Sequence, residues 1–158
     1  MNWTDGEIDG VVVRDLKPHA DARGWLLELF RSDEVAPEIL PAMSYVSMTR
    51  PGVARGPHEH VEQTDYFAFV GPGTFRLLLW DNRSASPTCG RRMRVEGGTG
   101  RPIAIVVPPG VVHGYLNIGT GEGWVLNYPN RLYAGPGRKE RVDEVRHEDR
   151  PDSPFRME

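Results

Sequence analysis

The chain has 158 residues and a mass of 17.7 kDa, which is enough for one domain with a buried core. Its 18 glycines and 14 prolines are too many for a helical bundle and favour short strands joined by turns. The net charge of −3, with scattered basic residues, argues against a nucleic-acid partner, and no apolar run is long enough to cross a membrane. The N-terminus lacks the apolar region of a signal peptide and the chain has one cysteine, so we expect a cytoplasmic protein.

Short apolar runs with turn signals between them predict nine strands. We expect a tight hairpin turn at 71–73, a longer polar loop at 81–87, and a short helix within 32–40. Ser32 or Asp33 is the expected N-cap, and Pro37 limits the helix to about one turn. The charged tail from about residue 135 is expected to pack over the strands or to fray. The predicted strands are 11–14, 25–30, 45–49, 66–70, 74–80, 91–95, 103–107, 112–118 and 124–128.

Regularly spaced short strands predict an all-β, double-sheet jelly roll with a cavity at one end. Two segments carry histidines: 52–60 reads Gly-Val-Ala-Arg-Gly-Pro-His-Glu-His, with Asp65 beyond it, and 108–117 reads Pro-Pro-Gly-Val-Val-His-Gly-Tyr-Leu-Asn. They resemble the two halves of a cupin motif, so residues 1–158 are expected to form one cupin domain. In such a barrel the segments lie on neighbouring strands, and His58, His60 and His113 point into one cavity. Inward polar residues are costly unless they bind something or each other, so this cavity is the expected functional site.

Five segments of the chain, in order, resemble the dTDP-4-dehydrorhamnose 3,5-epimerase family. The resemblance implies a jelly-roll homodimer that epimerises a nucleotide-linked 4-keto-6-deoxy sugar in deoxysugar biosynthesis, without a cofactor. The segments are Asp-Ala-Arg-Gly-Trp at 21–25, Gly-Val-Ala-Arg-Gly-Pro-His at 52–58, Ser-Pro-Thr-Cys-Gly at 86–90, Val-Pro-Pro-Gly-Val-Val-His-Gly-Tyr at 107–115, and Tyr133 followed by Val-Arg-His-Glu-Asp at 145–149.

The resemblance also implies roles for single residues. His58 matches the family's catalytic base and Asp149 its carboxylate partner, Arg23 and Arg55 match arginines that hold the substrate phosphates, and His113 matches a second active-site histidine. These residue types suit the chemistry. A proton beside a ketone is removed by a base with a pKa near 7 while a cation or hydrogen-bond donor stabilises the enolate. Arginine suits a diphosphate because its planar fork makes paired hydrogen bonds.

Three positions depart from the family pattern. The lysine that steadies the enolate falls near Asp65, the proton-donating tyrosine falls near Asn127, and an acidic residue falls near Arg76. Tyr128 is the adjacent candidate for the missing phenol, which leaves Asn127 as a candidate substrate contact. These departures make action at a single carbon as well supported as the family's two-centre epimerisation.

Three alternatives remain open. The Arg-Gly-x-His-x-His segment is similar to the catalytic segment of nucleotide-sugar 3,4-ketoisomerases, in which paired histidines such as His58 and His60 move a proton between neighbouring carbons. His58, His60, Asp65 and His113 are also a possible ligand set for a divalent metal ion. Finally, a small-molecule-binding cupin could keep the pocket without turnover.

Overall fold

The computed structural model of the chain describes residues 2–157. Within them, single-turn 3-10 helices lie at Pro37–Ile39 and Pro136–Arg138, and no helix is long or apolar enough to span a membrane. The strands are β1 (Thr4–Asp5), β2 (Val12–Asp15), β3 (His19–Asp21), β4 (Gly24–Leu26), β5 (Tyr45–Thr49), β6 (Ala54–Glu59), β7 (Asp65–Phe69), β8 (Thr74–Asp81), β9 (Arg91–Gly98), β10 (Ile103–Val107), β11 (Val111–Asn117), β12 (Gly123–Asn127) and β13 (Val145–Arg146).

Two sheets face each other across an apolar core, and a separate β3–β4 hairpin stands beside them. One sheet has the order β1-β9-β8-β11-β6-β13, and the other has the order β2-β10-β7-β12-β5. Alternate residues of strands from both sheets fill the space between them, including Phe69, Phe75, Leu79, Ile105 and Val111. The prediction of an all-β, double-sheet jelly roll is confirmed.

All nine predicted strands exist, and β5 and β10 have the predicted bounds. The run 25–30 ends early at Leu26, because Leu27, Leu29 and Phe30 pack instead on the outer face of the five-stranded sheet. Four strands were not predicted: β1, β3, β6 and β13. Three of them are only two or three residues long, and β6 contains the poor strand formers Gly56 and Pro57.

Two local predictions were wrong. The turn at 71–73 is not a hairpin, because β7 and β8 belong to different sheets; the left-handed Gly71 and Gly73, both at φ 93°, carry the chain across the barrel. A Cβ on Gly73 would lie 2.4 Å from the Gly123 Cα. The expected short helix within 32–40 is present as a single 3-10 turn at Pro37–Ile39, but it begins after Ala36 without a side-chain cap, so the prediction of Ser32 or Asp33 as its N-cap was wrong.

The C-terminal segment packs against the six-stranded sheet. Val145 and Arg146 pair with β6, and the buried Phe155 lies against Trp80 and Trp3. This packing brings residues 129–145 over the end of the barrel that carries the histidines.

Candidate active site

The site lies between the two sheets, where polar side chains replace the apolar core. On β7 the inward residues run from Phe69 and Phe67 to Asp65. On the opposite sheet, His58 of β6 and His113 of β11 are directly paired across the ladder. Two histidines from one sheet therefore face a carboxylate from the other, as the inward alternation of strand residues predicts.

Asp65 lies at the centre of the cluster and is 1% exposed. Its Oδ2 lies 3.0 Å from His60 Nε2 and 3.2 Å from His113 Nε2. Its Oδ1 accepts hydrogen bonds from Gln63 Nε2 at 2.9 Å and Asn127 Nδ2 at 2.8 Å. Burial alone would raise the pKa of Asp65, but His113 and His60 reverse that effect and hold the pKa well below its usual value. The carboxylate is therefore ionised in a nearly dry environment.

His60 is held between two oxygen atoms. Its Nε2 faces Asp65, while its Nδ1 contacts the backbone carbonyl of Asp143. The Asp143 carboxylate in turn accepts hydrogen bonds from the backbone N–H groups of residues 61–63 at 2.8–2.9 Å. Two oxygen atoms so placed, one beside each ring nitrogen, favour the doubly protonated form of the imidazole. Burial lowers the pKa of His60, but Asp65 and Asp143 outweigh it and raise the pKa to about 9, so this imidazole is cationic at neutral pH.

His58 is the contrasting imidazole. Burial, followed by the nearby His113 and His60, lowers the pKa of His58 far below its usual value. Its ring centroid is 4.7 Å from that of His113, and its Nδ1 is 3.9 Å from a carboxylate oxygen of Glu144. His113 Nδ1 itself lies 2.9 Å from the carbonyl oxygen of Val111. The cluster thus places a neutral imidazole beside a charged one, which is the arrangement that a base and an electrostatic stabiliser require.

A cleft of about 1050 Å³ opens over the cluster. Tyr45, His58 and His60 line it, and residues 129–145 form much of its wall. Its size and its mixture of polar and apolar groups suit a small-molecule ligand.

The structure brings His58, His60, His113, Asn127 and Asp65 together, but it corrects two other predicted positions. Asp149 is exposed, and the carboxylate beside His58 is that of Glu144. Tyr128 lies on the outer face of the five-stranded sheet, where its ring packs 6.1 Å from that of Tyr66. Adjacent strand residues face opposite sides, so Asn127 points inward and Tyr128 cannot.

The two predicted phosphate ligands lie outside the cleft. Arg23 is on the exposed hairpin, with its guanidinium bound to Asp21 at 2.5 Å. Arg55 is on β6, where it donates to Thr49 Oγ1 at 3.0 Å and to the carbonyl oxygen of Met48 at 2.7 Å. Together with Arg50 it lines a second, smaller cavity.

The four possible metal ligands also converge. One ligand atom each from His58, His60, Asp65 and His113 lies within 4.8 Å of all the others. Asp65 Oδ2 and His113 Nε2 are buried without a hydrogen bond of good geometry. Nitrogen and carboxylate donors at these separations would fit a divalent transition metal.

Sequence reasoning missed four residues of the site: Tyr45, Gln63, Asp143 and Glu144. Gln63 lies two residues before Asp65 and could have been inferred from that spacing. The two acids precede β13, a two-residue strand with no periodic signal. The position of Tyr45 depends on how β5 and β12 pair, which local sequence does not specify.

Comparisons with known proteins agree with this architecture. The chain is 42% identical over 127 residues to a probable low-salt glycan biosynthesis epimerase, Agl13, of Haloferax volcanii, covering 80% of this chain and 81% of the relative. It is 38% identical to the spore coat polysaccharide biosynthesis protein SpsL of Bacillus subtilis, with coverage of 80% and 82%. A dTDP sugar isomerase structure from Desulfovibrio desulfuricans G20 superposes with a TM-score of 0.81 at 25% identity, covering 94% of this chain and 91% of that one.

A family model extends the agreement along most of the chain. Residues 5–135 match the model described as dTDP-4-dehydrorhamnose 3,5-epimerase. The sequence motifs, the two-sheet barrel and the buried histidine cluster all fall within or beside this range. The chain therefore belongs to the dTDP-4-dehydrorhamnose 3,5-epimerase family.

Proposed function

We propose that the protein epimerises a nucleotide-linked 4-keto-6-deoxy sugar at one carbon beside the ketone. The observation that carries this proposal is the convergence of His58, His60 and His113 on the buried carboxylate of Asp65 beside one cleft. His58 removes the proton, and Glu144, 3.9 Å from its Nδ1, stabilises the imidazolium that forms. The charge on His60 stabilises the developing enolate oxygen. Epimerases of this family work without a cofactor, and proton transfer among these side chains supplies the chemistry.

Asp65 stands near the position of the family's lysine, and its contacts show how an acid there is compatible with catalysis. A carboxylate there repels an enolate, but Asp65 holds His60 protonated and lies against His113. The cationic imidazolium then takes the electrostatic role of the lysine. The absence of the family's lysine, and of its tyrosine at the position held by Asn127, is the departure from the family pattern that motivates the proposal of a single inverted carbon.

A 3,4-ketoisomerase remains the second candidate. His58 and His60 both line the cleft, with ring centroids 5.4 Å apart. Two imidazoles at this distance could relay a proton between neighbouring carbons of one sugar ring.

Solvent exchange tests the proposed function. In deuterated water, the protein should incorporate deuterium into dTDP-4-keto-6-deoxyglucose at one carbon beside the ketone and yield the inverted product, with the ketone still at C4. Proton NMR of the product distinguishes this from ketone migration, which would favour the isomerase.

EDTA should leave the rate unchanged, whereas a rate lost with EDTA and restored by a divalent ion would favour the metal-dependent alternative. Binding of the sugar nucleotide without any exchange would contradict catalysis and favour a binding protein.

We also propose that the active form is a cytoplasmic homodimer. The β3–β4 hairpin exposes Trp25 (63%) and Leu26 (62%), and the outer face of β5 and β12 exposes Val46, Met48 and Trp124. Apolar surfaces of this kind on a protein of this size mark interfaces. A second copy that covers the hairpin would place Arg23 within an assembly rather than in open solvent.

Arg55 and Arg23 are the proposed ligands of the diphosphate. Replacing either with Ala should weaken binding of dTDP and of the dTDP-sugar alike, by about 1.5–3 kcal/mol, or roughly 10-fold to 150-fold. Lys should not fully restore affinity, since the planar fork is lost. Isothermal titration calorimetry measures both ligands. Arg101→Ala is the matched control. Arg101 forms a surface ion pair with Asp15 at the opposite end of β7 from Asp65, so its loss should not affect dTDP binding. Unchanged dTDP affinity in both variants would reject the assignment.

A further inference from the structure

Inversion requires a proton donor on the face opposite the base, and the sequence position expected to supply it holds Asn127. The cleft opens at the end of the barrel and is lined by residues of both sheets, so a planar enolate that binds across it would present one face to each sheet. His58 belongs to the six-stranded sheet. The donor is therefore expected on the five-stranded sheet, at a residue that borders the cleft.

Tyr45 meets this requirement. It is the first residue of β5, the strand at the edge of the five-stranded sheet, and it lines the cleft together with His58 and His60. Across the β5–β12 ladder it is the direct partner of Asn127, and the Asn127 Nδ2 donates to its hydroxyl at 2.9 Å. The phenol thus reaches the inward side chain of Asn127 from the neighbouring strand.

The hydrogen bonds leave the phenolic proton free. The Asn127 amide nitrogen donates to both Asp65 Oδ1 at 2.8 Å and the Tyr45 oxygen, so the phenol oxygen is an acceptor in this contact. Among the hydrogen bonds of residues 2–157, none takes the Tyr45 proton. Burial raises the pKa of Tyr45 to about 12, which keeps the phenol protonated at neutral pH.

We propose that Tyr45 is the general acid on the second face of the sugar, an assignment that rests on the proposed function. His58 takes a proton from carbon and becomes an imidazolium, and the electron pair of that C–H bond forms the enolate. Tyr45 then gives its proton to the same carbon from the other side, the ketone re-forms, and the phenolate oxygen is held by the Asn127 N–H. Proton transfer through solvent from the imidazolium to the phenolate restores both groups.

The test separates proton removal from proton delivery. Tyr45→Phe should retain exchange of the sugar C–H in deuterated water within a few-fold of wild type, because His58 can return a solvent deuteron to the face it deprotonates. Formation of the inverted product should fall by at least roughly 100-fold. Tyr128→Phe is the matched control, since that phenol lies outside the cleft, and it should invert at the wild-type rate.

Three results would overturn the assignment. The first is inversion by Tyr45→Phe at the wild-type rate. The second is an equal loss of exchange and inversion with dTDP affinity intact, which would place Tyr45 in proton removal. The third is loss of inversion in Tyr128→Phe. A wild-type protein without any exchange would overturn the proposed function and this assignment together, so the two failures are distinguishable.

Discussion

Replacing His58 with Asn should slow exchange and inversion of the 4-keto sugar together, by roughly 10²–10⁴-fold, the usual contribution of a positioned general base. Burial and two neighbouring histidines lower the pKa of this imidazole, which keeps it unprotonated at neutral pH but also weakens it as a base. It therefore depends on Glu144, 3.9 Å from its Nδ1, to stabilise the charge that it gains with the proton. Asn keeps the approximate shape and a hydrogen-bonding group but cannot accept the proton. Both rates are read from one time course by proton NMR in deuterated water.

Affinity for dTDP provides the control for this variant. His58 lines the cleft, whereas the proposed phosphate ligands lie outside it, so His58→Asn should bind dTDP as tightly as wild type. An exchange rate near that of wild type would reject His58 as the base. A matched loss of dTDP affinity would instead indicate a misfolded variant, and Glu144→Gln then serves as the second test. That variant removes the carboxylate 3.9 Å from His58 and should slow exchange by a smaller factor.

Much of the site could be predicted because strands impose a period of two. An inward His113 follows from Val111 and Tyr115 on the same face of β11, and Asp65 follows from Phe67 and Phe69 in the same way. The same rule places Tyr128 outside the site, because its neighbour Asn127 faces inward and adjacent strand residues face opposite sides. Tyr128 could replace the missing phenol only if the strand shifted its register, and the pairing of β12 with β5 is regular.

The remaining parts of the site depend on long-range contacts that no local pattern encodes. Glu144 reaches His58 because β13 pairs with β6, nearly ninety residues earlier in the chain. Asp143 binds the backbone of the loop after β6 for the same reason. Tyr45 reaches the cluster only through the pairing of β5 with β12. In each case two segments distant in sequence must pack before the side chain has its role.

Replacing Asp65 with Asn should destabilise the protein by about 3 kcal/mol near pH 6, because it leaves the buried His60 cation without the carboxylate that lies 3.0 Å from its Nε2. In a chain of this size, that corresponds to a fall in melting temperature of roughly 6–12 °C. Asp15→Asn is the matched control: its carboxylate pairs with Arg101 on the surface and is 70% exposed, so its loss should cost at most about 1 kcal/mol.

The pH dependence of this difference identifies its cause. The pKa of His60 is raised from 6.5 to about 9 on folding, so its contribution is complete below pH 6.5 and is lost as the pH rises through about 9. The pKa of Asp65 is lowered from 3.8, so its contribution is complete above pH 3.8 and is lost as the pH falls below that value. The gap in melting temperature between wild type and Asp65→Asn should therefore be widest between pH 3.8 and 6.5 and should narrow on both sides. Scanning calorimetry from acid to alkaline pH measures it. A gap that stays constant with pH would mean that Asp65 acts by packing, and that His60 is not the cation on which the proposed chemistry depends.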